Sequence, residues 1–301
     1  MAAPTLLIDY SSLLHRAFHS MPETLAMHAV YGFLNMLARL LLDHRPRALA
    51  IAVDDDWRPA FRVAALPSYK AHRDATEDAV EDPVAPQEAA GRAVLRGLGF
   101  AVIGAAGFEA DDVIATLAEH CRGAVAIVSG DRDLFALVRD PDRFVLYPRT
   151  GVSKLAVVDE AEVARRYGIP GRAYGDFALL RGDPSDGLPG VRGIGAKTAA
   201  RLLARYGSLA AILAAGDLSP AVARKLDAGR EYLAVAARVV PPVTDVPLAA
   251  MPLVLPAAPA DPEALAALVA AYDLASPVER VRQALARIRA AGDQPPLPAD
   301  S

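Results

Sequence analysis

Residues Thr5 to Asp9 read TLLID, a short apolar run that ends in a carboxylate. The same pattern returns in Ala48 to Asp54 (ALAIAVD) and in Ala124 to Asp131 (AVAIVSGD). Apolar runs of this length are typical of strands that a parallel sheet buries on both faces. Between the runs, apolar residues recur at helical spacing in Val30 to His44, Val84 to Leu98 and Ala110 to His120. This alternation predicts an α/β fold with a mainly parallel central sheet.

Composition narrows the class of protein. The chain has 301 residues, 53% of them hydrophobic, which is enough to bury a large core. Its one cysteine, Cys121, excludes an intrachain disulfide. The sequence has neither a secretion signal nor an apolar stretch of roughly 18 residues that could span a membrane. We therefore expect a cytoplasmic protein with no membrane partner.

Charge is distributed unevenly. The net charge of −4 is unusual for a protein that binds nucleic acid. Several basic residues nevertheless lie in stretches poor in acids: Arg62, Lys70, Arg73, Arg192, Lys197, Arg201 and Arg205. If divalent cations neutralised the acids, the remaining surface could present a positive face to phosphates.

Nine acids recur in five short segments of the chain. They are Asp9, Asp54, Glu109, Asp111, Asp112, Asp131, Asp133, Asp183 and Asp186. Taken singly, a strand-end aspartate can cap a helix, and the last two can form Asx-turns. The carboxyl ends of parallel strands meet at one edge, however, where these acids would repel one another without counter-ions. Either they are dispersed, or metal ions hold them, and ligands made of oxygen alone favour Mg²⁺ or Mn²⁺ over zinc.

Two further stretches suggest contacts with DNA. Lys70 and Arg73 would share one helix face beside Tyr69, although a solvated basic face is the ordinary alternative. Residues Gly190 to Ala200 read GVRGIGAKTAA, and Ala196 before Lys197 argues against a nucleotide-binding Walker A loop. Glycines at this spacing favour a helix-hairpin-helix whose backbone N–H groups meet DNA phosphates, with a plain αα-turn as the alternative.

These motifs together resemble one family. Leu7-Ile8-Asp9 with Arg16-Ala17-Phe18-His19, Phe61-Arg62 with Tyr69 to Arg73, Phe108 to Asp112, Ser129 to Asp133, and Gly182 to Asp186 through Thr198 are similar to the bacterial 5′-3′ exonuclease family. This flap endonuclease-like family includes the N-terminal nuclease domain of bacterial DNA polymerase I. The resemblance spans roughly residues 5 to 290, and no polymerase follows, so we expect a stand-alone relative of the actinobacterial type.

The resemblance implies an activity and a set of roles. It implies a PIN-like or Rossmann-like sheet with a helical arch, and a flap endonuclease and 5′-3′ exonuclease that uses two or more Mg²⁺ or Mn²⁺ ions. The nine acids would be metal ligands. The catalytic residues would be Lys70, Arg73, Tyr69 and Arg16, with Tyr69 stacking on a terminal base. The DNA-binding residues would be Arg62, Gly190, Arg192, Gly193, Gly195, Lys197 and Thr198, and the hairpin could hold K⁺.

The same resemblance suggests boundaries and partners. We predict an α/β nuclease core over residues 1–168 with the arch at about 57–88, a helix-hairpin-helix region over 169–244, C-terminal helices over 245–291 and a disordered tail over 292–301. The expected substrates are branched, 5′-flap or RNA-primed DNA at the nucleoid. A monomer that works alongside a separate DNA polymerase I and a ligase is expected.

Three departures and three rival functions remain. Asp54 and Asp55 both fit the strand-end position, and we prefer Asp54; Tyr10 and Gly187 replace the family's usual glycine and asparagine. A non-catalytic or weakly active binder of branched DNA is the main alternative. A PIN-type ribonuclease would lack the arch and hairpin, and a phosphatase would need an aspartate where Ser11 stands.

Overall fold

The structure, a computed structural model, describes residues 3–71, 83–149 and 152–292. Six strands are present in this part of the chain: β1 (Thr5–Asp9), β2 (Ala48–Ala52), β3 (Ala101–Ile103), β4 (Val125–Val128), β5 (Arg143–Pro148) and β6 (Leu155–Val158). The α-helices of the first half are α1 (Tyr10–Ser20), α2 (His28–His44), α3 (Ala60–Ala65), α4 (Ala85–Leu98) and α5 (Ala110–His120). Those of the second half are α6 (Glu160–Tyr167), α7 (Tyr174–Arg181), α8 (Ala196–Tyr206), α9 (Leu209–Ala214), α10 (Pro220–Ala228), α11 (Arg230–Val239), α12 (Pro262–Tyr272) and α13 (Ala275–Gly292).

The strands form one six-stranded sheet in the order β3-β2-β1-β4-β5-β6. All neighbouring pairs are parallel except β5 and β6, which are antiparallel. The chain leaves the central strand β1 in one direction to β2 and β3, then returns to its other side at β4. The carboxyl ends of β1, β2 and β4 therefore lie side by side, which is the arrangement that places ligands at a sheet edge.

Each face of the sheet supports its own hydrophobic core. On one face, Leu6, Ile8 and Ile51 pack with the apolar residues of α1, α2, α4 and α13. On the other face, Leu7 and Ile127 pack with α5 and with helices α7 to α11. Burial on both sides explains why β1 reads as an unbroken apolar run rather than an alternating one.

The C-terminal part of the chain returns to the sheet domain. The Val243 N–H donates to Asp112 (2.7 Å), and Leu49 N–H donates to the Leu253 carbonyl (2.9 Å). Helix α13 then packs along α2, where Val281 and Leu285 are buried with Leu34 and Leu37. The last helices thus complete the core that the first strands begin.

The structure confirms the predicted fold class and adds three strands. Strands β1, β2 and β4 and helices α2, α4 and α5 fall where the apolar patterns predict them. Strand β3 has only three residues, and β5 and β6 carry polar or exposed positions, so none of them forms a long apolar run. No helix in the described ranges is long and apolar enough to cross a membrane.

Two of the predicted regions are described only in part. Within the expected arch, residues 57–71 contain α3 and a turn, and residues 72–82, which include Arg73, lie outside the described residues. Residues 293–301 of the predicted tail also lie outside them. The domain boundaries near residues 168 and 244 stay predictions.

Candidate active site

A cavity opens at the carboxyl edge of the sheet. Its volume is about 690 Å³, and five of the nine predicted acids line it: Asp9, Asp54, Glu109, Asp111 and Asp131. Asp9 ends β1, Asp54 follows β2 and Asp131 follows β4, so three adjacent strands each deliver one carboxylate. Lys70 is the one lysine or arginine among the described residues that line this cavity.

Hydroxyl and backbone groups fix the orientation of two of these carboxylates. Asp9 accepts hydrogen bonds from the Ser129 hydroxyl (2.6 Å) and from the Ser12 backbone N–H (3.1 Å). Asp54 accepts hydrogen bonds from the Ser11 hydroxyl (2.6 Å) and from the Ala110 backbone N–H (2.8 Å). Asp9 also serves as the N-cap of α1, so the capping role that the sequence allowed and the place at the cavity coexist.

Burial and neighbouring carboxylates raise the pKa values of Asp9 and Asp111. Burial, and then the negative charge of Asp54, raise the pKa of Asp9 to about 7. Burial, and then the charges of Asp131 and Asp9, raise the pKa of Asp111 well above its ordinary value. A cation placed among these carboxylates would therefore lower the pKa values of Asp9 and Asp111.

A second group of acids adjoins the first. Burial, and then the negative charges of Asp131, Asp186 and Asp183, raise the pKa of Asp133 well above its ordinary value. Asp183 accepts hydrogen bonds from Arg181 (2.8 Å) and from the Ser185 backbone N–H (3.1 Å). The negative charge of Asp131 raises the pKa of Asp9 in the first group and that of Asp133 in the second. Asp131 therefore lies close to both groups.

The remaining predicted ligand, Asp112, has a different surrounding. Its side chain is fully buried, and Arg62 donates to both of its oxygens, at 2.6 and 2.8 Å. The backbone N–H groups of Glu109 (3.1 Å) and Val243 (2.7 Å) donate to the same carboxylate. Asp112 is thus paired with a buried cation and accepts four hydrogen bonds, so the geometry favours a structural role for it, and its role as a metal ligand stays a prediction.

Arg62 also departs from the sequence-based expectation. It was predicted to bind DNA, but only 1% of its surface is exposed. Its guanidinium donates to Glu109 (2.5 Å), to Asp112 and to the Val239 carbonyl (2.7 Å). These buried partners satisfy the side chain inside the protein, so the geometry favours an internal role for Arg62, and its contact with DNA stays a prediction.

Tyr69 and Lys70 lie at the turn that follows α3. Tyr69 is buried, and its hydroxyl donates to Glu109 (2.8 Å), so it cannot stack on a base in this arrangement. The Lys70 ammonium pairs with the other oxygen of Glu109. Burial acts to lower the pKa of Lys70, but Glu109 and Asp186 outweigh it and the pKa is raised. Lys70 therefore stays charged beside the cavity, in a turn with a φ of 50° rather than in a helix.

Arg16 lies near the junction of the two acidic groups. Its guanidinium packs beside Gly130, the residue before Asp131, where an added Cβ would meet Nη2 at 3.1 Å. Its buried Nε makes no hydrogen bond within the described residues. Arg16 thus lies beside Gly130, which lines the cavity, and its catalytic role stays a prediction.

The predicted hairpin forms a tight turn that leads into α8. Gly193 has a φ of 82°, and its carbonyl accepts a hydrogen bond from the Lys225 ammonium (2.9 Å). Gly195 caps α8, and Val191 and Ile194 anchor the turn in the core. The exposed side chains are Arg192 and Lys197, while Thr198 is half-buried. The first N–H groups of α8 therefore open to the surface beside two cations.

Gly190 is half-buried and lies close to the backbone of two other residues. Its φ is 68°, and an added Cβ would overlap the backbone of Gly182 and Arg181. The glycine therefore closes the loop that carries Asp183 and Asp186, and its contact with DNA stays a prediction. Gly187 has a φ of 67°, and an added Cβ would collide with the Ser68 carbonyl. Both observations explain why glycine stands at this position.

The donor set fits hard divalent cations. Besides one imidazole, that of His15, the described lining of the cavity offers carboxylates and hydroxyls with no cysteine, and oxygen ligands of this kind suit Mg²⁺ and Mn²⁺. Within the described ranges, no three His, Cys, Asp or Glu side chains are already arranged to hold one ion. Carboxylates that face one another without a counter-ion repel, so an open ring of acids is the expected form of such a site.

Several positioning residues were missed by sequence reasoning. Ser11, Ser12 and Ser129 orient the strand-end acids, and Arg92 donates to Asp55 (2.9 Å) and to the Asp54 carbonyl (2.5 Å). Because Asp55 faces Arg92 and Asp54 faces the cavity, the geometry favours Asp54 of the two neighbours. Serines two or three residues from a strand-end aspartate were the signal available in the sequence.

Tyr10 is the other departure from the family pattern. Its ring is fully buried against Phe33, and its hydroxyl donates to the Glu88 carbonyl (3.2 Å). The hydroxyl fills the space in which Gly91 of α4 would carry a Cβ. Tyr10 thus points away from the cavity and packs α4 against α1 and α2.

Comparison with known proteins gives a consistent result. Residues 4–168 match the family model of the 5′-3′ exonuclease N-terminal resolvase-like domain, and residues 169–263 match that of the 5′-3′ exonuclease C-terminal SAM fold. A 5′-3′ exonuclease of Streptomyces coelicolor is 47% identical over 295 residues, covering 92% of this chain and 98% of the relative. One from Mycobacterium tuberculosis is 43% identical over 314 residues, covering 95% and 98%. DNA polymerase I of Mycobacterium bovis is 45% identical over 266 residues, which cover 83% of this chain and 28% of the polymerase.

Solved structures share the fold at low identity. The T5 D15 protein co-crystallised with metal ions aligns with a TM-score of 0.66 and 17% identity, covering 95% of this chain and 99% of that one. The catalytic core of Rad2 in complex with DNA substrate aligns with a TM-score of 0.57 and 16% identity, covering 95% and 92%. Both matched domains, the near-complete relatives and the shared fold lead to one conclusion: this chain belongs to the 5′-3′ exonuclease family.

Proposed function

We propose that the chain is a structure-specific 5′-nuclease that removes 5′ flaps and 5′ ends from branched or RNA-primed DNA. The observation that carries the proposal is the ring of carboxylates around one cavity, within the same chain as a glycine turn that presents N–H groups and cations to solvent. Relatives named 5′-3′ exonuclease, and the same fold in the T5 D15 flap endonuclease with DNA and metal ions, support it.

The acids divide into two candidate sites. Asp9, Asp54, Glu109 and Asp111 would hold one Mg²⁺ or Mn²⁺ ion, and Asp131, Asp133, Asp183 and Asp186 would hold another directly or through water. Two such cations would activate a water for in-line attack and stabilise the charge that develops on the phosphate and the leaving oxygen. Ser11, Ser12 and Ser129 hold two of the carboxylates in place before any ion arrives, which reduces the reorganisation needed.

The basic residues near the cavity would handle the phosphate. Lys70 is charged and lies against Glu109, so it can turn from that carboxylate to the scissile phosphate when DNA enters. Arg16 would position the 5′ region from beside Gly130. Arg73, which lies outside the described residues, would act with Lys70. The product keeps its phosphate on the 5′ side.

The hairpin would hold the duplex without reading its sequence. Backbone N–H groups at the start of α8, with Arg192 and Lys197, meet phosphates, and the turn at Gly193 and Gly195 lets the DNA backbone approach closely. A K⁺ ion at this turn is part of the proposal. We also propose that the protein is a monomer that acts at the nucleoid. Because flap removal leaves a nick with a 5′-phosphate, it would work with a separate polymerase and a ligase.

A 5′-labelled flap substrate tests the proposal. We expect cleavage near the junction in Mg²⁺ or Mn²⁺, and none in EDTA. Asp131→Asn should lose cleavage while keeping flap binding, whereas Asp245→Asn, a change of the same kind at an exposed residue, should cleave normally. Cleavage that persists in EDTA would contradict the metal mechanism. Binding without cleavage under all conditions would instead support the non-catalytic alternative.

A further inference from the structure

The buried Arg62 side chain joins two parts of the chain at the acidic site. Arg62 lies in α3, yet its three nitrogens all reach acceptors on other elements. Two of those acceptors, Glu109 and Asp112, stand at the start of α5, and the third is the carbonyl of Val239 at the end of α11. The guanidinium therefore fastens a helix of the sheet domain to a helix of the C-terminal region.

The contact also decides how Glu109 points. Arg62 and the Tyr69 hydroxyl donate to Oε2 of Glu109, at 2.5 and 2.8 Å. Oε1 is left on the side of Lys70, where both residues line the cavity. One oxygen is thus held from the protein interior while the other is offered to the site.

Asp112 reinforces the same arrangement. It accepts from Arg62 with both oxygens, as a two-pronged pair, and it also accepts the backbone N–H of Glu109. Losing Arg62 would leave two buried carboxylates close together without their main counter-charge, and their mutual repulsion would move them apart. Such a movement would turn Glu109 away from its present orientation.

We infer that Arg62 is a positioning residue for the acidic site: it sets the orientation of Glu109 and anchors it to α11, without touching DNA. The inference rests on the proposed function, since it takes Glu109 to be a cation ligand. Partners that orient a metal ligand from behind typically contribute about 10–100-fold to metal affinity.

The test measures the affinity of the full chain for Mn²⁺ by calorimetry, in the absence of DNA. We expect Arg62→Met to weaken Mn²⁺ binding by about tenfold or more. Arg62→Lys keeps the charge but cannot reach three acceptors. It should fold more readily than Arg62→Met and lose less of the affinity for Mn²⁺. Flap cleavage by Arg62→Lys should need more Mg²⁺ for half-saturation while keeping most of the rate at saturation.

Arg143→Met is the matched control. Arg143 pairs with Glu119 (2.7 Å) and the Ala118 carbonyl (2.9 Å), at the opposite end of the same helix α5. It should lose stability but bind Mn²⁺ as the original chain does. Unchanged Mn²⁺ binding by folded Arg62→Lys, or an equal loss in Arg143→Met, would overturn the inference. Failure of the original chain to bind Mn²⁺ at all would overturn the proposed function and the inference with it.

Discussion

Asp54 and Asp55 show how far neighbouring side chains of one type can differ. Asp54 accepts from Ser11 and Ala110 at the cavity, whereas Asp55 pairs with Arg92 outside it. We predict that Asp54→Asn lowers flap cleavage by at least a hundredfold, because the change removes a charge that would bind a cation. Asp55→Asn should change cleavage little. Rates measured at saturating Mg²⁺ check the pair, and equal losses in both variants would refute the assignment.

Asp9 predicts an unusual dependence of stability on pH. Its pKa is raised to about 7, so the folded protein keeps a proton that the unfolded chain has released above about pH 4. Stability from this group is therefore present at low pH and is lost as the pH rises through about 7. We predict that Asp9→Asn stabilises the metal-free protein at pH 8, by on the order of 1 kcal/mol.

Thermal unfolding in EDTA and in Mg²⁺ checks the Asp9 prediction. The Asn variant should gain in EDTA and should lose the stabilisation that Mg²⁺ gives the original chain. Asp245→Asn, at an exposed position, should behave as the original chain in both buffers. A loss of stability in EDTA with Asp9→Asn would show that the carboxylate contributes more as a hydrogen-bond acceptor than it costs as a charge.

Individual side chains were the least predictable level. The sequence showed that acids converge, because strand ends meet, but it could not show that Arg62 turns inward to neutralise Asp112. An arginine on a short amphipathic helix can face either the solvent or the core. Here the carbonyl of Val239, which is distant in the sequence, accepts a hydrogen bond from Arg62 inside the protein. Tyr69 follows the same rule, since its partner Glu109 is 40 residues away in the chain.

At the scale of elements, two glycines beside the hairpin should respond differently to an added methyl group. Gly190→Ala places a Cβ against the backbone of Gly182 at positive φ, so we predict a loss of about 2 kcal/mol or more. Gly195→Ala meets nothing within 4 Å, and its stability should stay within about 0.5 kcal/mol of the original. Urea unfolding measures both variants. Comparable losses would mean that the loop holding Asp183 adapts more readily than its geometry indicates.

The hairpin itself makes a prediction about salt. Lys197 is exposed at the start of α8, so Lys197→Ala should weaken duplex binding similarly for different sequences. The slope of log affinity against log salt should fall by about one, because one phosphate contact releases about one counter-ion. Lys154→Ala, in the sheet domain, provides the comparison and should leave the slope unchanged. A loss confined to one sequence would contradict non-specific phosphate binding.

Long apolar elements were predictable, and short ones were not. Strands β1, β2 and β4 each give a short buried apolar run, a pattern typical of a parallel sheet. Strand β6 lies at the sheet edge with an exposed Val157, and its pairing depends on β5 rather than on its own pattern. The glycine-rich turn before α8 was recognisable because positive φ leaves a mark in the sequence that packing does not.

At the scale of the whole molecule, the C-terminal helices are part of the first core. Leu285 of α13 is buried against the face of α2. We predict that Leu285→Ala lowers the free energy of unfolding by about 2–5 kcal/mol in a single transition, while half-saturating Mg²⁺ for cleavage stays the same. Calorimetry checks this. An early separate transition would show that α13 unfolds apart from the sheet.

Tyr10 and Gly91 lie 81 residues apart in the sequence but fit closely against each other. The residue at one position therefore limits which residues the other position can accept. A side chain at position 91 is excluded while the tyrosine stands, and a glycine at position 10 would leave a void that only a larger residue at 91 could fill. We therefore expect a substitution at either site alone to be destabilising, and a compensating pair to be better tolerated. A protein changed at one position alone is therefore expected to be less stable, and changing both positions together avoids that intermediate.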